Sequence, residues 1–199
     1  MPRRGDHSRE EFHAMVVLAA EAIVAESGVA GLSARAIAQR IGYSAGSIYL
    51  AFDGLDDVIL HLNARTLDAL HADIAKATRG KAKPLTRVKR AARAYAEFAR
   101  QYPNRWRLPF EHQLPAGKQG PDWIQHRIQR LIELVIEPLA EEIGTRDESL
   151  EMAAQALWSG VHGICILTLT NKLHLVGRQR TEQLIDSLVT HYIAGVRAA

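Results

Sequence analysis

Apolar residues recur at spacings of three and four along almost the whole chain, and the strict alternation of half-buried strands is missing. That period predicts an all-α fold of about nine helices separated by Gly and Pro. Ser8 with Glu11 forms a capping box opening a helix through Ser27, whose inner stripe is Phe12, Val16, Ala19, Ala20, Ile23 and Val24. Gly28 ends it as a left-handed cap. Ser33 caps a second helix that turns Ile37, Ala38 and Ile41 inward and stops at Gly42. Ser44 caps a short third helix, Ala45 to Ala51, with Ile48 inward.

A longer fourth helix begins near Gly54 or Leu55, with Asp56 and Asp57 in its first turn, and ends by Gly80. The fifth follows Pro84 and runs to about Gln101. Pro103, Pro109 and Pro115 leave room for one short helix, about Arg105 to His112. Lys118 to Pro121 reads as a loop. Asp122 caps a seventh helix through Glu142, kinked or broken at Pro138. An eighth, about Asp147 to Lys172, and a ninth, Thr181 to Arg197, are amphipathic and read as a hairpin joined by a short Gly-containing turn.

The 199 residues suit one domain, or a small domain fused to a medium one, and 47% hydrophobic content excludes a disordered chain. The single cysteine, Cys165, excludes an internal disulfide framework and lies in an apolar run that suits an inert thiol. A signal peptide and a membrane span are not expected: apolar runs such as Ile164 to Leu169 are short. The product is therefore expected to be soluble and cytoplasmic. A net charge of +3 permits nucleic-acid binding without arguing for it.

The informative stretch is Gly31 to Phe52. Two short helices meet at a glycine turn, the geometry of a helix-turn-helix at about 32–51, although spacing alone also permits a plain helical hairpin. The second of these helices exposes Ala45, Gly46, Ser47 and Tyr49, groups small or polar enough for a major groove. Tyr43 and Ser44 stand at its N-terminus, beside amides able to hold a phosphate.

Residues from about Arg9 to Ala69 resemble the N-terminal domain of the TetR family of transcriptional repressors. The likeness rests on the Ala-rich first helix, Ser33-x-x-x-Ile37-Ala38, Gly42-Tyr-Ser44-x-Gly46-Ser-Ile48-Tyr49, and Phe52. It implies a DNA-binding domain at 9–69 and an effector-binding and dimerisation domain at 70–199. It further implies that Tyr49 touches the DNA backbone and that Ser33, Ser44 and Ser47 meet phosphates or bases. The chain departs from the family at Leu50 and Ala51, and at Leu55, where the family usually has a lysine on a phosphate. Arg35 and Arg40, with Arg3, Arg4 and Arg9 ahead of them, are then expected to supply much of the attraction.

Ala156 to Gly163 resembles a Trp-x-x-x-His-Gly signature of one subgroup of the family's C-terminal domains, with Trp158 and His162 on one helix face. Two readings stay open there, a packed core helix with a satisfied histidine and a ligand contact. Tyr102, Trp106, Phe110, Trp123 and Trp158, with His112 and His162 as polar groups, are expected to form an apolar effector pocket, or simply to pack as core. The basic run Lys76, Arg79, Lys81, Lys83, Arg87, Lys89, Arg90 and Arg93 faces solvent, DNA or an anionic effector.

The resemblance implies a homodimer that binds double-stranded operator DNA and a small apolar or aromatic effector, without a membrane role. Leu157, Val161, Ile164, Leu167, Leu184, Leu188 and Ile193 would pack within a four-helix bundle of the last two helices of each subunit, or against the core. No cofactor or metal is expected, and no catalytic motif is present. The rival reading is a helical dimeric interaction or ligand-sensing protein whose DNA binding is weak or lost.

Overall fold

The structure is a computed structural model that describes residues 7–115, 117 and 119–198. Arg3, Arg4 and Lys118 of the sequence reading lie outside the described residues. Nine α-helices and two 3-10 turns account for the secondary structure of the described residues. They are α1 (Arg9–Ser27), α2 (Ala34–Ile41), α3 (Ala45–Ala51), α4 (Gly54–Thr78), α5 (Pro84–Gln101), α6 (Pro103–Glu111), α7 (Asp122–Ile143), α8 (Glu148–Leu169) and α9 (Thr181–Ala198).

The chain divides into two compact units, Met1–Thr66 with Tyr102–Gln125, and Leu67–Gln101 with His126–Ala199. The segment Tyr102–Gln125, expected in the C-terminal part, belongs to the first unit: Trp106 and Leu108 of α6 are buried, and α6 packs on α1. The expected domains, 9–69 and 70–199, therefore differ from the contact units at 67–69 and at Tyr102–Gln125.

Caps set the start of the first unit. Ser8 Oγ accepts the Glu11 amide at 3.1 Å, and Glu11 returns by accepting the Ser8 amide at 2.7 Å. Gly28 does have a positive φ of 67°, but its ψ of −173° lies outside the left-handed helical region expected of it. Gly42 adopts that region (φ 77°, ψ 27°), and the amides of Gly42 and Tyr43 both turn back to the Ala38 carbonyl. Ile37, Ile48, Leu62 and Leu108 are wholly buried in one cluster with Val16 and Val24.

In the second unit, α5, α8 and α9 pack on one another through Val88, Phe98, Leu157, Cys165, Ile185 and Val189. Three expectations change here. Pro138 lies inside a continuous α7 rather than breaking it. Residues 170–180 form a long connection with a 3-10 turn at Leu173–Leu175, because Asn171 takes a positive φ of 56° and ends the helical run early. And α8 as a whole is long and apolar enough, by length and composition, to cross a membrane, although its longest uninterrupted apolar run is short. Such composition equally suits a helix covered by protein.

Candidate functional site

The first site lies in the first unit. Ser33 Oγ accepts the Ala36 amide at 3.1 Å and Ser44 Oγ accepts the Ser47 amide at 3.3 Å, so both serines start their helices while remaining exposed. The Ser44 and Ser47 hydroxyls also meet at 2.8 Å. Burial of Ile48 fixes the rotation of α3 and leaves Gly46, Tyr49 and Leu50 exposed, Tyr49 at 58% and Leu50 at 85%. Ala45 packs partly on the core and Ser47 is half-buried, so these two do not stand fully exposed as expected. Tyr43 is half-buried, its ring 4.8 Å from that of Phe12 in α1, which ties the turn to the first helix.

The electrostatics differ from expectation. Arg40 does not face outward as a spare cation. Its guanidinium grips Glu26 through two hydrogen bonds of 2.9 and 2.5 Å, which joins α2 to the end of α1 and holds the Glu26 carboxyl below the usual range. Arg35 is exposed and, among the described residues, has no carboxylate partner. Leu55 is partly buried against the core, so its side chain supports the start of α4 where the resemblance leads one to expect a lysine.

The second site is a cavity of about 60 Å³ in the second unit, partly open to solvent. Its walls are Leu70 and Ile74 of α4, Val88, Ala91, Ala92 and Tyr95 of α5, Leu131, Ile132 and Val135 of α7, and Ala154, Leu157, Trp158 and Val161 of α8. Lysine, arginine and carboxylate are absent from that lining. Tyr95 Oη lies 2.8 Å from His162 Nδ1, and the His162 ring stacks on Trp158 at 5.2 Å. Burial pushes the His162 pKa down, which favours a neutral ring able to accept the Tyr95 hydroxyl.

Of the seven aromatic and histidine residues expected to form one pocket, Trp158 alone lines this cavity, and His162 stands behind Tyr95. Tyr102, Trp106, Phe110, His112 and Trp123 belong to the first unit and do not contribute. There Trp106 is fully buried with its ring 5.7 Å from Phe110, His112 Nε2 lies 2.9 Å from Asp56 Oδ1, and Trp123 stacks on His61 at 5.0 Å. Counting aromatics along the chain grouped residues that the fold separates. Tyr95 was missed, although Val88, Ala91, Ala92, Tyr95 and Ala99 form one helical stripe in the sequence.

The basic run is also divided by its partners. Arg87 pairs with Glu141 at 2.8 Å and Glu137 at 3.4 Å, and Arg93 pairs with Asp186, so part of it ties helices together. Burial pushes the Cys165 thiol up to about 12, far from a nucleophile's range. Among the described residues, no group of three or more His, Cys, Asp or Glu side chains is placed to hold a metal.

The family profile described as "Bacterial regulatory proteins, tetR family" matches residues 16–62, and "Tetracyclin repressor-like, C-terminal domain" matches 88–192. No curated protein sequence matches the chain. Among solved structures, a protein of unknown function from Rhodococcus sp. RHA1 superposes with a TM-score of 0.78 at 18% identity, covering 98% of each chain. The regulator FadR from Bacillus subtilis, in complex with stearoyl-CoA, gives 0.71 at 15% identity over 92% of this chain and 98% of its own. The TetR family regulator PfmR from Thermus thermophilus gives 0.60 at 18% identity over 90% and 97%. At these identities the likeness to solved structures speaks for the fold, while the C-terminal profile alone spans more than half of the sequence. The chain belongs to the TetR family of transcriptional regulators, non-enzymatic proteins with an N-terminal DNA-binding domain and a C-terminal ligand-binding domain.

Proposed function

We propose that this chain is a repressor that binds a near-palindromic operator as a homodimer in the cytoplasm and is released by a small apolar effector. The DNA-binding domain is residues 9–69 and the effector and dimerisation domain 70–199, with Tyr102–Gln125 supporting the former. In this reading α3 enters the major groove and Tyr49, Ser33, Ser44, Ser47 and Arg35 meet phosphates or base edges. The amides around Tyr43, Ala45 and Gly46 lie along the same approach.

The observation that carries the reading is the composition of one helix. Val58, Ile59 and Leu62 of α4 belong to the core under α3, and Leu70 and Ile74 of the same α4 form a wall of the cavity. A ligand that fits one position of that wall better than another thereby changes operator affinity by the same differential free energy. The uncharged lining favours an apolar occupant, and the stearoyl-CoA bound by FadR of similar fold is in keeping with a long apolar group.

The dimer reading rests on α8 and α9. Only 28% of the most apolar stretch of α8 is buried within one protomer. Leu157, Val161 and Ile193 are buried, whereas Ile164, Leu167, Leu184 and Leu188 are covered only in part, which leaves apolar area for a second copy. A Cβ at Gly163 would meet nothing within 4 Å, so a partner helix can approach there closely.

Selection of bound duplexes from a random pool, with sedimentation of the free protein, tests the proposal. The expected result is a palindrome whose half-sites lie roughly 34–36 Å apart and a dimer in solution. The rival, a ligand-sensing dimer with weak or lost DNA binding, is favoured by the Arg40–Glu26 pair and by Leu55. Selection of no duplex even at low salt would decide for it.

A further inference from the structure

We infer that Leu50 and the gap at Gly46 form an apolar reading edge that recognises thymine 5-methyl groups in the major groove. The inference rests on α3 being the helix that enters DNA. Ile48 is fully buried, and at about 100° per residue Gly46 and Leu50, four apart, stand on the side of α3 opposite Ile48. They are therefore the outermost ridge of the helix, flanked by Tyr49 and Ser47.

An exposed leucine is by itself ordinary. Here two independent observations give it a role. Leu50, at 85%, is the most exposed large apolar side chain of the described residues, and it sits on a helix, Ala-Gly-Ser-Ile-Tyr-Leu-Ala, without a charged or amide side chain. The bidentate readers of guanine and adenine are Arg, Lys, Asn and Gln. With none of these on α3, the base feature that matches its outermost side chain is the methyl group of thymine.

Gly46 points the same way. A Cβ built there would meet only Ser44 Oγ, at 3.8 Å, an ordinary contact, and the backbone is not in the left-handed region. The fold thus accepts alanine, the better helix former, at this position. One turn before Leu50, the missing side chain allows a base edge or sugar to approach the helix backbone, bringing Leu50 down onto the groove floor. Charge on DNA is then met from Arg35 and the helix termini, and α3 itself discriminates by shape and methyl contact.

The test uses the intact protein and a duplex obtained by selection, with each thymine replaced in turn by deoxyuridine, which removes only the methyl group. Binding should weaken about two- to fivefold at one or two positions per half-site. Leu50→Ala should bind the parent duplex more weakly, melt at an unchanged temperature, and no longer distinguish thymine from deoxyuridine at those positions. Gly46→Ala should weaken binding without lowering the melting temperature. Tight binding indifferent to every replacement, or the same discrimination in Leu50→Ala, overturns the methyl readout while leaving the DNA-binding reading intact. Unchanged binding by Gly46→Ala removes the role of the gap. Failure to select any duplex overturns both.

Discussion

The two units use their apolar side chains in opposite ways. In the first, Val16, Val24, Ile37, Ile48, Leu62 and Leu108 interlock with essentially no exposure, and the short helix α3 is held in one orientation by a single wholly buried isoleucine. In the second, Leu70, Val88, Leu157 and Val161 border a cavity of about 60 Å³. A filled core specifies a rigid surface, because close-packed side chains have few alternatives. A lined void forgoes dispersion contacts that a ligand can restore. One unit is thereby suited to presenting a fixed shape and the other to responding to an occupant.

Charge divides the molecule in a less familiar way. From Met1 to Thr66 the basic residues are Arg3, Arg4, Arg9, Arg35, Arg40 and Arg65, set against Asp6, Glu10, Glu11, Glu21, Glu26, Asp53, Asp56 and Asp57. Two of those cations are already paired, Arg40 with Glu26 and Arg65 with Glu21. The cation-rich part of the chain is instead α5 and its approach. With acidic residues in the majority from Met1 to Thr66, the proposed operator binding should respond less steeply to salt than that of a strongly basic reader.

The largest test of the packing comparison is a pair of leucine truncations. Leu62→Ala, in the filled core, should cost about 3–5 kcal/mol, whereas Leu157→Ala, which borders existing space, should cost about 1 kcal/mol less. Urea unfolding measures both, and equal costs would mean that the void is closed in solution. Next in size is Ala91→Leu. It places three more carbons into the cavity and should raise stability by about 1 kcal/mol while abolishing any effector response. Destabilisation instead would show that the space is too narrow to fill.

Glu26→Gln tests the charge comparison. It releases the Arg40 guanidinium toward solvent, so operator affinity should rise a fewfold and the salt slope steepen by up to about one unit. An unchanged slope would place Arg40 away from the phosphates.

The smallest effect is the response to acid. Burial holds His162 below the ordinary histidine value, and burial together with Arg130 does the same for His71. The unfolded chain then binds protons that the folded one refuses. Stability is therefore full above about pH 6.5 and falls as the pH drops through that value toward the lower folded pKa. Urea midpoints at about pH 7.5 and 5.5 should show this fall, and it should be shallower in His162→Gln. An undiminished fall in that variant would assign the acid response to other groups.

Much of the first unit was legible in the sequence because its signals are local. Ser8, Ser33 and Ser44 each cap the helix that follows, Gly42 makes the turn, and Ile48 is the buried residue of α3. The cavity was less legible because it depends on which helix faces which. Trp158 was identified and Tyr95 was not. Tyr102, Trp106, Phe110, His112 and Trp123 looked like companions of Trp158 only because aromatic content is a property of composition, while a cavity wall is a property of packing. The charge on Arg40 was visible in the sequence, but its neutralisation by Glu26 required α2 to cross the end of α1.

The sequence by itself determined where the helices lie, the serine caps at Ser8, Ser33 and Ser44, and the helix-turn-helix, since capping hydrogen bonds and apolar periodicity act over three or four residues. Only the tertiary structure decided that Tyr102–Gln125 belongs with the DNA-binding unit, that the hollow lies among Leu70, Tyr95, Leu131 and Trp158, and that Leu50 stands outermost on α3. Each of these depends on contacts between residues far apart in the chain, whose partners are set by how whole helix faces pack and not by any neighbouring residue.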